Sequence, residues 1–231
     1  MKQQLILNIL DPSPQTLGNF VWGKNAEILT ALQEQPLTGR AVYFWGPPGV
    51  GRTHLLKALS HGDHKMYFDA LTASPQQLAQ LATAEQPGIT AIAIDNIDHL
   101  NADGQAALFS LYNRWRQEAS GAQAFTLYLS GSHAPRALPI REDLRTRLGW
   151  DLSFRLQHLT DAEKAQALRQ WASNKGIDLP SGIVNWLLVH HSRDMRQLST
   201  LIDALDHYSL QEKRPITLPL LKQWLNKQSF S

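Results

Sequence analysis

The sequence contains no cysteine among its 231 residues, which excludes disulfide bonds and thiolate metal sites. It also lacks any apolar run near the ~20 residues that a membrane helix requires. Residues 1–10 are apolar, but they are too short and too weakly basic a stretch for a secretory signal. We therefore expect a cytoplasmic protein with no membrane partner.

The sequence also has no large excess of either positive or negative charge. The formal net charge is +2, and no segment concentrates basic residues as a dedicated DNA-binding domain does. We therefore expect any contact with DNA to be weak or indirect. The 43% hydrophobic content is enough for one large domain, or for a core with a small satellite domain.

Short apolar runs punctuate the first two thirds of the chain. Residues 41–45 are continuously apolar, and 89–94 and 125–129 are apolar apart from Thr90 and Thr126. Such runs are typical of strands buried on both faces. A helical pattern over 103–118 lies between the second and third runs. Apolar strands that alternate with helices predict an α/β fold, a three-layer core with a parallel, doubly wound sheet.

The pattern changes after Leu156. Thr160 and Glu163 have the spacing of a capping box, and we expect a helix from there to about Asn174. Further helices are predicted over 182–190, 193–208 and 218–227, and no strand pattern returns. The predicted domains are a tail over 1–15, an α/β core over 16–157 and a small all-helical domain over 158–231.

A glycine-rich loop follows the first apolar run. Its spacing, Gly-x4-Gly followed by a basic residue and Ser or Thr, lets backbone N–H groups surround a phosphate at a helix N-terminus. The predicted binding residues are Gly46, Pro47, Gly49, Val50, Gly51, Arg52, Thr53 and His54. Arg52 stands where lysine is usual, so we expect binding to survive and hydrolysis to be weak. The alternative is a simple glycine-proline turn.

The second apolar run ends on Asp95. A carboxylate at the carboxyl edge of a buried strand can hold Mg²⁺, so Asp95 and Thr53 are the candidate metal residues. The alternative is that Asp95 only caps a turn. Asn96 follows, at the position where many P-loop ATPases carry an acid that positions the attacking water. An amide cannot act as a general base.

Two further sets of arginines are candidates for the nucleotide chemistry. Arg145 and Arg147 lie in a short segment that ends at Trp150, and a cluster of this kind can supply an arginine finger to a neighbouring molecule's nucleotide. In the helical domain, Arg196 is the candidate for reaching the nucleotide. Taken alone, each arginine fits an ordinary surface ion pair better, and it is the order of the elements along the chain that favours the nucleotide role.

Taken in their order along the chain, these motifs resemble those of the AAA+ ATPases, and within them those of DnaA and the DnaA-homologous Hda family of regulators. The resemblance covers residues 16–228. It implies adenine contacts at Phe20 and Val21, Walker A at 46–53, Walker B at 94–96, sensor 1 at 129–132, the finger box at 145–150 and sensor 2 at 194–196. Ser132 departs from the acidic sensor 1 residue of DnaA.

The two ends of the chain separate the Hda family from DnaA. We expect no helix-turn-helix DNA-binding domain after the helical domain. The tail residues Gln4, Leu5, Leu7 and Ile9 are similar to the motif by which Hda proteins bind the DNA polymerase sliding clamp. As a bare peptide, the same residues fit an edge strand.

The family therefore implies an inhibitor of DNA replication initiation. Holding ADP (or ATP) and Mg²⁺, and docked on a DNA-loaded clamp, such a protein stimulates ATP hydrolysis by DnaA. The resemblance implies that Arg147 is the arginine finger, supplied in trans. The alternative is an autonomous AAA+ ATPase of the helicase-loader type, against which Asn96 argues. A third alternative is sequence-specific DNA binding, but the sequence shows no recognition domain for it. Contact with DNA would be indirect, through the clamp, and the sequence leaves a homo-oligomer open.

Overall fold

The structure is a computed structural model, and it describes residues 15–34, 38–83, 88–191 and 194–229. These residues form two compact units that divide between His158 and Leu159. Within the four described segments, no helix combines the length and the hydropathy needed to cross a bilayer.

The first unit is built on a five-stranded parallel sheet in the order β2-β3-β4-β1-β5. Its strands are β1 Ala41–Trp45, β2 Lys65–Asp69, β3 Ala91–Asp95, β4 Thr126–Gly131 and β5 Leu152–Arg155. Its helices are α1 Ala26–Glu34, α2 Arg52–Leu59, α3 Pro75–Thr83, α4 Ala102–Glu118 and α5 Glu142–Leu148. The predicted α/β fold is confirmed.

The apolar runs became the inner strands because those strands are covered on both faces. All residues of β3 and β4 are buried. On one face, α3, α4 and α5 pack on side chains such as Tyr43 and Ile92. On the other face, α1 and α2 pack on side chains such as Phe44 and Ala93. This gives the three layers, with the core on either side of the sheet.

The boundaries differ slightly from the predicted ones. The first run matches β1, whereas the second strand begins at Ala91 and the third at Thr126. The edge strands β2 and β5 were not predicted. Their residues are mostly half-buried or exposed, so they lack the continuous apolar runs that marked the inner strands.

The second unit is helical in its described part. It contains α6 Asp161–Asn174, α7 Ser181–His190, α8 Met195–Glu212 and α9 Leu218–Ser229. The helix predicted over 193–208 begins at Met195, after Asp194 as its N-cap, and continues to Glu212. The helices enclose a separate apolar core that includes Leu168, Leu187 and Ile202.

The capping box that opens this unit is confirmed. The Thr160 hydroxyl accepts a hydrogen bond from the Glu163 N–H at 3.2 Å. The Glu163 carboxylate in turn accepts one from the Thr160 N–H at 2.7 Å. Both bonds satisfy N–H groups that helix geometry leaves without partners, which fixes the start of α6.

Candidate functional site

The glycine-rich loop leaves the carboxyl end of β1 and enters α2. The Gly46 N–H donates to the Gly131 carbonyl at the end of β4, over 3.4 Å. A Cβ on Gly46 would lie 2.6 Å from the Leu156 carbonyl oxygen. Gly49 and Gly51 have φ of +82° and +96°, in the left-handed region that glycine tolerates. The loop therefore has a shape that depends on its glycines.

Gly51 caps the N-terminus of α2, and Arg52 is the first residue of that helix. The Arg52 Nη1 atom is buried and has no hydrogen-bond partner in the described part of the chain. A buried guanidinium nitrogen without an acceptor is costly. Together with the helix N-terminus, it suits an anionic ligand. Thr53, beside it, is partly exposed.

A short helical turn before α1 packs against this loop. Phe20 is buried, and a Cβ on Gly51 would lie 2.9 Å from its Cε2 atom. The His54 ring lies 5.3 Å from the Phe20 ring. Its Nε2 is 3.1 Å from the Thr16 carbonyl oxygen and 2.9 Å from Asn19 Oδ1. Burial lowers the pKa of His54, so its neutral form is favoured.

These contacts place two of the predicted binding residues. The Phe20 ring packs on the loop itself, and the His54 side chain is directed at the turn over residues 16–19 rather than into the loop. Val21, which follows Phe20, is half-buried. The predicted adenine contacts of Phe20 and Val21 stay predictions.

Asp95, at the end of β3, is completely buried. Its Oδ2 accepts a hydrogen bond from the Tyr67 hydroxyl at 2.9 Å. Its Oδ1 accepts from the Ser130 hydroxyl and from the Asn96 N–H at 3.0 Å. Burial and the nearby Asp95 charge raise the pKa of Tyr67 far above its usual value. Tyr67 therefore stays a hydrogen-bond donor at every physiological pH.

Asn96 adopts a left-handed conformation with φ of +57°. Its Nδ2 donates to Asp69 Oδ1 at 3.0 Å. Asp69 ends β2 and is the register partner of Asp95 in β3. The amide therefore acts as a hydrogen-bond donor between the ends of two strands, a role that an ionised carboxylate could not fill.

A second polar cluster lies beside the loop at the end of β4. The Ser132 hydroxyl is 2.5 Å from Asp98 Oδ2 and 2.7 Å from His133 Nδ1. The other Asp98 oxygen is buried and unpartnered within the described residues. The Tyr43 hydroxyl donates to the His133 carbonyl at 2.7 Å. Burial and the Asp98 charge raise the Tyr43 pKa, while the Arg52 charge opposes the rise.

Sequence reasoning missed three partners that complete this site: Tyr67, Asp69 and Asp98. Ser130 lies in the predicted sensor 1 segment, but its bond to Asp95 was not predicted. Asp98 had a usable signal, because it follows a buried strand by three residues. Asp69 and Tyr67 lie on an edge strand without an apolar run, so nothing local indicated that they end beside Asp95.

The candidate finger, Arg147, lies on α5 near its end. Its guanidinium carbon is 3.8 Å from the centroid of the Phe109 ring and 5.5 Å from that of Trp150. Its Nη1 donates to Asn113 Oδ1 at 2.5 Å. Desolvation lowers the pKa of Arg147, although the nearby Asp143 opposes the change. Among the described residues, its side-chain contacts are with α4 and Trp150 and not with the loop.

The remaining predicted residues fall elsewhere. Arg196 is exposed in the first turn of α8, in the second unit. The predicted clamp-binding residues, Gln4, Leu5, Leu7 and Ile9, lie outside the described residues. In the segments that are described, no group of three or more His, Asp or Glu side chains is arranged to hold a metal ion. Thr53 and Asp95 as magnesium ligands therefore stay a prediction.

Comparison with known proteins matches both units. Residues 161–225 match the sequence family described as the lid domain of Hda. The whole fold is similar to domain III of the Thermotoga maritima replication initiation protein DnaA, with a TM-score of 0.72 and 17% identity. That match covers 94% of this chain and 98% of that one.

Two further solved structures share the fold. The RuvB Holliday junction branch migration motor of Thermotoga maritima matches with a TM-score of 0.66 and 18% identity, over 91% of this chain and 70% of that one. AMPPCP-bound DnaA from Aquifex aeolicus matches with a TM-score of 0.63 and 15% identity, over 86% and 66%. At these identities the likeness shows a shared fold.

Proposed function

Because the chain is an Hda-like, DnaA-homologous AAA+ protein, we propose that it inactivates a DnaA-type replication initiator. In this proposal the chain holds a nucleotide and docks on the DNA-loaded sliding clamp through Gln4, Leu5, Leu7 and Ile9. Arg147 then contributes to ATP hydrolysis in the initiator's site. Contact with DNA is indirect, through the clamp.

The glycine-rich loop supports nucleotide binding. Its glycines give the loop a conformation that can surround a phosphate. The buried Arg52 Nη1, which has no partner among the described residues, would be costly without an anion. Thr53 and Asp95 would hold Mg²⁺, which neutralises phosphate charge when bound. Phe20 and Val21 are the proposed adenine contacts, and Arg196 is the proposed contact from the lid.

The position of Asn96 supports the proposal that this chain hydrolyses its own nucleotide only weakly. The Asn96 amide donates to Asp69, so it offers no base to an attacking water. The bound nucleotide, ADP in this proposal, would then brace the loop against the turn that contains Phe20.

The proposal rests on one observation, the position of the Arg147 guanidinium. Its guanidinium is stacked on Phe109 at the surface of the first unit and has no contact with this chain's own loop among the described residues. An arginine placed in this way is available to a second molecule. Supplied to a neighbour's γ-phosphate, it would stabilise the charge that develops during phosphoryl transfer.

Asp98 favours one other candidate function, an autonomous ATPase. Its buried, unpartnered oxygen lies beside Ser132 and could orient a water molecule, as Asn96 cannot. Rapid ATP turnover by the purified chain alone, abolished by Asp98→Asn, would establish this alternative.

The experiment that tests the proposal measures ATP hydrolysis by DnaA with this chain, clamp and primed DNA, each omitted in turn. We expect stimulation only when all three are present. Arg147→Ala should return hydrolysis to its unstimulated level, a loss on the order of 10³-fold where a finger operates. Arg136→Ala removes a different exposed arginine, in the short helical turn before α5, and should leave the stimulated rate unchanged. Undiminished stimulation by Arg147→Ala would contradict the finger.

A further inference from the structure

Two buried polar atoms of opposite charge lie near the glycine-rich loop without partners among the described residues. One is Nη1 of Arg52, a hydrogen-bond donor, and the other is Oδ1 of Asp98, an acceptor. The Asp98 side chain is only 9% exposed. A buried polar atom without a partner is costly, so each of the two indicates an interaction that these residues by themselves do not supply.

The position of Asp98 is fixed by its other oxygen. Its Oδ2 is 2.5 Å from Ser132 Oγ and 4.0 Å from His99 Nε2. Ser132 follows Gly131, whose carbonyl accepts a hydrogen bond from the Gly46 N–H at the start of the loop. The Asp98 carboxylate is therefore attached to the end of β4, at the edge of the sheet where the loop begins.

The Tyr43 hydroxyl, which donates to the His133 carbonyl at 2.7 Å, lies near both charges. Burial and the Asp98 charge raise the pKa of this hydroxyl, whereas the Arg52 charge lowers it. Because the effect of a charge falls with distance, Arg52 and Asp98 both lie close to the same point. Arg52 Nη1 and Asp98 Oδ1 are nevertheless not bonded to each other. The two groups therefore border one region without closing it.

A third phosphate on the bound nucleotide would lie in this region. The basic residue of a phosphate-binding loop reaches the β- and γ-phosphates, and here that residue is Arg52. Mg²⁺, proposed at Thr53 and Asp95, bridges the same two phosphates when it is bound. The γ-phosphate of a triphosphate would therefore lie toward the carboxyl ends of β3 and β4, beside Asp98. A diphosphate has no group there.

We propose that Asp98 is a specificity-determining residue, which makes the site prefer a nucleoside diphosphate to a nucleoside triphosphate. This inference rests on the proposed function. The Asp98 carboxylate places a fixed negative charge beside the third phosphate, and burial limits the screening of their repulsion by solvent and salt. A diphosphate avoids the repulsion and still binds the loop and Arg52. One such charge weakens triphosphate binding on the order of tenfold.

The test is calorimetric titration of the full chain with ADP and with AMPPCP, a triphosphate analogue that resists hydrolysis, each in the presence of Mg²⁺. The parent should bind ADP at least about tenfold more tightly than AMPPCP. Asp98→Asn removes the charge and keeps the shape of the side chain. It should strengthen AMPPCP binding about tenfold and change ADP affinity by less than about twofold. Structural damage to the site would instead weaken the binding of both nucleotides.

Two controls accompany this variant. Asp98→Glu keeps the negative charge and should keep the preference for ADP. Asp103→Asn removes a negative charge from the exposed first turn of α4 and should leave the ratio of the two affinities unchanged, because salt screens an exposed charge. Thermal unfolding shows whether each variant is folded. Should Asp98→Asn fail to fold, Asp98→Ser, which is neutral and smaller, makes the same test.

The outcomes separate this inference from the proposed function. If the parent binds neither ADP nor AMPPCP, the proposed nucleotide site is wrong. If it binds both and the neutral variant leaves the ratio of affinities unchanged, the nucleotide site stands and the role of Asp98 is wrong. A neutral variant that binds AMPPCP more weakly than the parent would show that the carboxylate assists the third phosphate, which also overturns the inference. Equal affinities of the parent for the two nucleotides would overturn it as well.

Discussion

Gly51 and Gly62 adopt nearly the same left-handed backbone conformation in different surroundings. Their φ values are +96° and +106°. A Cβ on Gly51 would lie 2.9 Å from the Phe20 ring, whereas a Cβ on Gly62 would have no heavy atom within 4 Å. The two residues therefore separate backbone strain from the contact between the loop and the turn over residues 16–20.

Alanine at either position should cost about 1–2 kcal/mol of stability, because an L-residue is strained there. Gly51→Ala should cost more and should also weaken ADP binding at least about tenfold, since Phe20 must move away from the loop. Urea unfolding and calorimetric titration with ADP measure the two effects. Gly62→Ala is the matched control, and equal ADP affinities in the two variants would show that the Phe20 contact is irrelevant to binding.

At the scale of the elements, the carboxyl ends of β2 and β3 bring two carboxylates together in the first unit. Asp69 and Asp95 are neighbours across the two strands. Asp95 receives donors from Tyr67 and Ser130, and Asp69 receives the Asn96 amide. Asn96 therefore keeps two carboxylates side by side by donating to one with its side chain and to the other with its backbone.

Asn96→Asp should destabilise the protein by about 2 kcal/mol at neutral pH, because it replaces a donor with a third carboxylate. The repulsion raises the folded pKa of the new carboxyl above its unfolded value of about 3.9. The penalty is therefore full above the folded pKa and disappears below the unfolded one. Unfolding free energies of variant and parent at pH 7 and pH 4 test this.

The matched control is Asn101→Asp. Asn101 caps α4 by accepting from the Gly104 N–H at 2.9 Å, and a carboxylate accepts equally well at a helix N-terminus. This variant should be neutral or slightly stabilising at pH 7. A penalty at Asn96 that does not shrink on acidification would rule out the electrostatic account.

Most of the elements that hold the site could be predicted from sequence, because β1, β3 and β4 are buried on both faces and so are largely apolar. The glycine-rich loop could be predicted because its conformation requires glycine at fixed spacing. The edge strands β2 and β5 could not, since burial on one side leaves a mixed composition. For that reason the sequence did not indicate Asp69 or Tyr67 as neighbours of Asp95.

The contacts of Arg147 show a different limit. The arginine was predicted from its short basic segment and from the resemblance, whereas nothing in the sequence indicated Phe109 and Asn113 as its contacts. Only the packing of α5 against α4 brings them together. Sequence patterns report the burial of a residue far better than they report which distant residue it touches.

At the scale of the whole molecule, three parts have separate proposed roles. The tail binds the clamp, the first unit holds the nucleotide and the finger, and the helical unit supplies the lid. The two described units have separate apolar cores. The proposed clamp contacts and the proposed nucleotide contacts also involve different residues, so damage to the tail should leave nucleotide binding intact.

The double variant Gln4→Ala, Leu7→Ala should weaken clamp binding at least about a hundredfold, because it removes the polar anchor and a central apolar contact. Surface plasmon resonance on immobilised clamp measures the affinity, and ADP titration checks the nucleotide site. Asn8→Ala, in the same segment but outside the proposed contacts, is the control. Unchanged clamp affinity in the double variant would contradict the tail assignment.

The bond between His54 and the Thr16 carbonyl also sets a distance scale. It fixes Thr16 beside α2, and a chain from Ile9 to Thr16 can extend at most about 25 Å. In a complex that buries Ile9 in the clamp, the phosphate loop must lie within roughly that radius of the clamp surface, plus the few ångströms between Thr16 and α2. In such a complex, the length of the tail would limit the orientations in which Arg147 can meet an initiator on the same DNA.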